Sequence, residues 1–192
     1  MTIFSPNDLF LVDSDFRLPT LYDWESRGLV TKIRNDNYVF SDFDPSDKDY
    51  YLIANKIYSP SYISLESALN YYGIIPELVA HTTSITTNKT NSFGTKFGIY
   101  DYSTINEALF FAYKVVEHSP HEVLIASLEK SILDYLYLNT NINTIDDFEG
   151  LRWNKEVIKE TLDFDLFEKY LVIFDNKALQ RRCSVLMDYL DA

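Results

Sequence analysis

A short acidic stretch that contains a proline, Ser41-Asp42-Phe43-Asp44-Pro45-Ser46-Asp47, separates two regions of unlike hydrophobic pattern. Proline has no amide hydrogen for a strand ladder and its ring interrupts a helix, so neither pattern continues through it. The chain therefore divides into a module of residues 1–44 and a larger domain of residues 45–192. With 46% hydrophobic and 24% charged residues in a total of 192, it has apolar side chains enough to bury a core without disulfides or metal. Five Gly and six Pro are too few for a collagen-like, linker-rich or disordered chain. No apolar run approaches the ~20 residues that cross a bilayer, and Met1-Thr2-Ile3-Phe4-Ser5-Pro6 lacks the basic flank of a signal peptide. The single cysteine, Cys183, cannot form an internal disulfide and excludes a four-cysteine zinc site. These features lead us to expect a cytoplasmic protein with no membrane association and no cofactor.

The module reads as helix, helix, hairpin. Pro6 behind Ser5 starts a helix to about Val12, Asp13 to Asp15 turns, and Pro19 opens a second helix with Leu18, Leu21, Tyr22 and Trp24 expected to face inward. Gly28 ends that helix as a left-handed cap. Leu29 to Phe40 alternates around an Asn35-Asp36-Asn37 turn, with Leu29, Thr31 and Ile33 on one face and Lys32 and Arg34 on the other. This is the outline of a winged helix, whose helix N-terminus and wing face phosphates and grooves. Residues 16–34 hold Arg17, Arg27, Lys32 and Arg34 against Asp23 and Glu25, but the module as a whole has 4 positive and 8 negative residues and the chain a net charge of -12. Phosphate is repelled at long range, so any DNA contact has to be local.

In the larger domain, Ser46 caps a helix through about Tyr58, Pro60 to Ile63 is extended or turning, and Ser64 caps a helix ended by Gly73. The two helices are expected to form a hairpin. From Leu78 to about Ala126 the period shifts to two, with candidate strands Val79–Thr86, Lys96–Tyr102, Leu109–Val116 and Val123–Ala126 in an antiparallel meander. Ser127 then caps a helix with Leu128, Ile132, Tyr135 and Leu136 on one stripe. Three more amphipathic helices are expected around Trp153, Val157 and Ile158, around Leu166, Phe167, Tyr170 and Leu171, and around Leu179, Cys183, Leu186, Met187 and Leu190. The fold class is α+β: a winged-helix-like module followed by a small, mainly antiparallel sheet covered on one side by helices.

Catalytic signatures are scarce. The sequence contains no glycine-rich phosphate loop, nucleophile elbow or two-histidine zinc helix. His118-Ser119-Pro120-His121 reads as a polar turn between strands rather than a metal site, because it lacks further ligands close by. His81 reads as a sheet residue. Asp42 and Asp44 have D-x-D spacing but no preceding phosphate-holding turn, which makes them part of a solvated linker. Glu129 suits its helix N-terminus and Lys130 can reach Asp134 one turn on. Ile63 and Ala68 can form a hydrophobic staple, whereas Ser61, Tyr62 and Glu66 suit either a recognition surface or a buried hydrogen-bond network.

In three stretches the chain resembles the AbiEi-type antitoxins and transcriptional regulators of bacterial abortive-infection operons, the type IV toxin–antitoxin class. These are residues 54–69 (Ala54 through Ser59-Pro60-Ser61-Tyr62-Ile63-Ser64 to Leu69) with Gly73 and Pro76-Glu77, then Ala126-Ser127-Leu128-Glu129-Lys130-Ser131-Ile132-Leu133-Asp134, then Lys177-Ala178-Leu179-Gln180-Arg181-Arg182. The resemblance implies a non-enzymatic phage-defence protein. Its winged-helix module would bind operator DNA, with Arg17, Arg27, Lys32 and Arg34 on phosphates and Thr20 reaching a base edge or phosphate. Its larger domain would counter a nucleotidyltransferase-like toxin through a surface near Ser61, Tyr62, Glu66, Glu129 and Lys130. Two alternatives remain open: an interaction module whose degenerate winged helix is only a scaffold, and a metal-dependent enzyme built on Glu66, Glu129 and Asp134.

Overall fold

The computed structural model describes residues 3–77, 79–118 and 121–192. Leu78, where the hydrophobic period changes, and Ser119-Pro120, the middle of the expected turn, lie outside the described residues.

The module folds as α1 (Pro6–Val12), α2 (Leu18–Ser26), β1 (Val30–Arg34) and β2 (Asn37–Phe40). Ser5 and Asp8 form a reciprocal capping box at the start of α1. Gly28, at φ +70°, ends α2; the Leu29 amide donates to the Trp24 carbonyl, which closes the cap. Phe4 adds an antiparallel bridge to Tyr38 of β2, and Phe4, Leu21, Val30 and Tyr38 make a small core. Of the residues expected inward from α2, Leu21 is buried and Trp24 is half-buried, but Leu18 and Tyr22 are exposed. The hairpin also departs from strict alternation. A register irregularity between Lys32 and Arg34 lets Val30 and Ile33, three residues apart, both point inward, and Leu29 lies exposed before the strand. The turn itself is Asn35-Asp36, with Asn35 at φ 48° and Arg34 paired to Asn37.

The larger domain begins with α3 (Asp47–Ile57), β3 (Ser61–Ile63), α4 (Leu65–Tyr71), β4 (Thr82–Thr86), β5 (Asn91–Thr95), β6 (Gly98–Thr104), β7 (Tyr113–His118) and β8 (His121–Ala126). Here the expected meander is corrected. The six strands lie in the order β5-β6-β4-β3-β8-β7, and two of the pairings, β3 with β8 and β4 with β6, are parallel. The stretch read as extended or turning, Ser61–Ile63, is an inner strand, so α3 and α4 are separated by a strand rather than folded into a helical hairpin. β5 was not expected, and the strand placed at Leu109–Val116 begins at Tyr113, because Glu107–Leu109 forms a short 3-10 turn.

The chain ends in α5 (Leu128–Leu138), α6 (Ile145–Leu151), α7 (Lys155–Thr161), α8 (Phe164–Phe174) and α9 (Lys177–Asp191). Ser127, Thr144, Asn154, Asp163 and Asn176 each cap a helix by accepting from its first-turn amides. Four helices therefore follow α5 where three were expected; α6, at seven residues, is too short to show a period in sequence.

The helices do not keep to one side of the sheet. Alternate strand residues feed two clusters, as period two requires. Tyr62, Ile85 and Ala126 join α4, α5 and the C-terminal helices. Ile63, Tyr100, Tyr102, Val123 and Ile125 join Leu52, Ile53, Ala54 and Ile57 of α3. This second cluster also contains Ile3, Ile33 and Val39 of the module. The module and the larger domain thus share apolar core, and removing either from the other exposes it. A single urea transition is expected: Trp24 fluorescence in Trp153→Phe protein and Trp153 fluorescence in Trp24→Phe protein should give the same midpoint. Midpoints separated by more than the fitting error would show two independent units.

Candidate functional site

The strongest concentration of polar chemistry lies inside the protein, where β3 meets α5. Ser127, at the end of β8, caps α5 and fixes where its first turn begins, so Lys130 and Asp134 fall on the same inward stripe at i and i+4. Both side chains are fully buried, at 0% exposure. Lys130 Nζ pairs with Asp134 Oδ1 and donates to the Tyr62 hydroxyl at 2.9 Å. Tyr62 and Ser64 donate to Asp134 Oδ2 at 3.0 and 2.9 Å. The Phe111, Phe174 and Tyr62 rings lie 5.2, 4.9 and 5.5 Å from the ammonium, a cation–π surround that replaces part of its lost hydration. Tyr113 and Phe110 pack on the Tyr62 ring.

Burial raises the Asp134 carboxyl, against the attraction of Lys130 and the hydrogen bonds from Lys130, Ser64 and Tyr62. Burial lowers the Lys130 ammonium, with Asp134 opposing. Burial and the neighbouring Asp134 push the Tyr62 hydroxyl far above its usual range. Enclosed and bonded to one another, these groups tie β3 to α5.

The surface expected around Ser61, Tyr62, Glu66, Glu129 and Lys130 is therefore corrected for four of its members. Ser61, Tyr62, Glu129 and Lys130 are buried; Ser61 Oγ has no hydrogen-bond partner among the described residues. Glu129 Oε1 accepts from the Asp163 amide at 3.3 Å, next to the start of α8. Glu66 alone is partly exposed, in the first turn of α4. Of the carboxylates in the metal-dependent alternative, Asp134 pairs with Lys130 and Glu129 accepts from the Asp163 amide; among the described residues no group of three or more His, Cys, Asp and Glu is placed to hold a metal ion.

The residues expected to contact DNA separate into two groups. Arg17, Thr20, Arg27 and Lys32 are exposed. Arg17 stands at the N-cap of α2 and Thr20 in its first turn. Arg27 pairs with Asp23 at 3.2 Å on the open surface, a contact of small energetic weight. Lys32 Nζ lies 5.4 Å from the Tyr38 ring centroid. Arg34 is different: it is half-buried, and its guanidinium lies over the Phe93 ring of β5, 3.6 Å from the centroid. No sequence signal pointed to this contact, since its partners lie on opposite sides of the acidic boundary.

Other polar pairs were equally invisible in sequence. His81 Nδ1 and Asp101 Oδ2 lie 2.7 Å apart on the sheet surface. His118 Nε2 meets Asp49 Oδ1 at 2.7 Å. Asp49 also caps α3 with Ser46; burial alone would raise its carboxyl, but the hydrogen bonds from Ser46 and His118 hold it below the usual value. Asp42 and Asp44 are exposed, in keeping with a solvated linker.

Scanned against protein-family models, the chain matches none, and a search of curated proteins finds no match. No helix among the described residues is long and apolar enough to cross a membrane.

Lys130→Ala should cost about 3–5 kcal/mol in urea denaturation because it leaves Asp134 buried and unpaired, whereas Lys130→Met with Asp134→Leu should recover most of that loss. A double variant as unstable as the single one would show that the ion pair itself is required. Cys183, whose thiol burial pushes up to about 12, should resist alkylation in folded protein at pH 8 and react on unfolding. Rapid native labelling would contradict its burial.

Proposed function

We propose that the chain is an AbiEi-type antitoxin and transcriptional regulator of a type IV toxin–antitoxin operon, acting in the cytoplasm without enzymatic activity. The observation that carries this reading is convergence. The three stretches on which the resemblance rests, far apart in sequence, meet at one helix: Tyr62 and Ser64 of the first bond Asp134 of the second, and Arg182 of the third donates from Nε to the Leu136 carbonyl of α5 at 2.8 Å. Residues that recur together in a family for structural reasons are expected to touch.

In this reading the module is a winged helix reduced to the Phe4 bridge, two helices and the wing. Arg17 and Lys32 contact operator phosphates, Thr20 sits at the recognition-helix start, and Arg27 contributes once Asp23 is displaced. Arg34 is no longer a DNA ligand; its stack on Phe93 sets the angle of the wing against the larger domain. The larger domain counters a nucleotidyltransferase-like toxin through its outer surface, with the buried Lys130 network as its frame. A second reading, a pure interaction module, is favoured by the withdrawal of Arg34, the Arg27–Asp23 pair and the net charge of -12.

Fluorescence anisotropy against DNA from its own promoter separates the two. Regulator function predicts micromolar or tighter binding whose log–log salt slope is about -2 to -3, falling by about one unit in Arg17→Ala or Lys32→Ala. Growth rescue by the full chain in cells expressing the neighbouring toxin gene, without DNA binding, would select the interaction module. Loss of both would remove the antitoxin reading.

A further inference from the structure

Among the described residues fifteen large apolar side chains are exposed, and seven of them lie in the module, which is less than a quarter of the chain. α1 buries none of its residues, and at its end Leu11 and Val12 are 85% and 78% exposed. Single exposed apolar residues are ordinary on any protein. A concentration of them on one small module is not, because apolar area in water is unfavourable and a rimmed patch of it marks a surface that another molecule covers.

The patch is continuous and has a groove in it. Phe10 of α1 meets Phe16 edge-on at 5.9 Å, and Phe16 lies 5.6 Å from Trp24 of α2. Trp24 is half-buried and, with Leu29, Val30 and Phe40, lines an open groove of about 430 Å³ where the end of α2 meets the hairpin. Carboxylates flank both ends. Asp13 and Asp15 stand between Val12 and Phe16, while Asp42 is part of the groove wall with Asp44 just beyond it. All four are exposed, and none lies in an ion pair among the described residues. Of the cations in residues 10–30, Arg27 pairs with Asp23, which leaves Arg17 against the four carboxylates.

We infer that this face of the module is a docking surface for a cationic amphipathic segment of a partner protein, whose apolar side chains enter the groove beside Trp24 while its Lys and Arg side chains meet Asp13, Asp15, Asp42 and Asp44. An amphipathic helix laid in an apolar groove gains affinity from its apolar stripe, and the charges at the rim select which helix enters. Charge decides among the possible occupants. A second copy of this chain brings the same carboxylates and a net charge of -12 to the contact, and an anionic bilayer or nucleic acid is repelled in the same way. A basic segment is attracted. None of the residues assigned to operator contact lines the groove, so the surface stands whether or not the module binds DNA.

The test uses the full chain carrying Trp153→Phe, so that emission comes from Trp24 in the groove wall. The probes are a synthetic peptide of about 18 residues with Leu and Lys at helical spacing, and the same peptide with Glu in place of every Lys. The Lys peptide is expected to bind at micromolar concentration and shift Trp24 emission to shorter wavelength, and the Glu peptide to bind at least about tenfold more weakly. Leu29→Ser and Asp42→Lys, both at exposed positions of the groove wall, should each weaken the Lys peptide by about fivefold or more at unchanged melting temperature. Val172→Ser on α8 and Glu160→Lys on α7, equally exposed apolar and acidic positions outside the module, should leave affinity within about twofold. No emission shift with the Lys peptide, equal binding of the Glu peptide, or equal losses in Asp42→Lys and Glu160→Lys overturns the inference. So does a dimer in sedimentation that Leu29→Ser dissociates, which would assign the face to a second copy.

Discussion

An ion pair sealed from water is the constraint on which the larger domain is organised. Lys130 and Asp134 lie one turn apart on α5 and are both fully enclosed. Taking such charges out of water costs several kcal/mol per ion, and their attraction offsets this only when the remaining donors and acceptors are satisfied. Tyr62 and Ser64 meet that requirement from β3, and Phe111 and Phe174 close the cage from the chain before β7 and from α8. Any shift of β3 along α5 breaks the network and strands a charge, which makes this one register much preferred.

The second organising contact crosses the acidic boundary. Ile33 and Val39 of the hairpin pack in the same cluster as α3 and β8, and Arg34 stacks on Phe93. A module tied to its neighbour by apolar area and a stacked guanidinium is held at one angle.

Charge is distributed in a way that total charge conceals. Acidic residues sit in the first turn of α1, α3, α4, α5, α6, α7 and α8, where the helix dipole favours them. The cations at α2 and α9 run against that pattern. A net charge of -12 disfavours unselective association with nucleic acid at long range.

Local chemistry was readable in the residues themselves. Ser5 with Pro6, Gly28, Ser46 and Ser127 mark helix ends because capping depends on atoms within a few residues, and the i to i+4 spacing of Lys130 and Asp134 makes their pairing visible on one helix; Ser64 stands at the start of α4, but its hydroxyl goes to Asp134 and not to the helix amides. The α+β class follows from the change of period, and the acidic stretch with Pro45 marks the end of the hairpin. Pairing between distant strands is another matter. Nothing in Ser61-Tyr62-Ile63 says that it lies parallel to β8, because a three-residue strand has too short a pattern to state its partner. The burial of Tyr62 and Lys130 depends in turn on that pairing, which is why a sequence equally suited to a recognition surface became a core. Arg34 on Phe93 and Arg182 on Leu136 are likewise products of the assembled fold: a long cationic side chain takes whatever acceptor or ring the tertiary structure brings within reach, and only three-dimensional proximity decides which one that is.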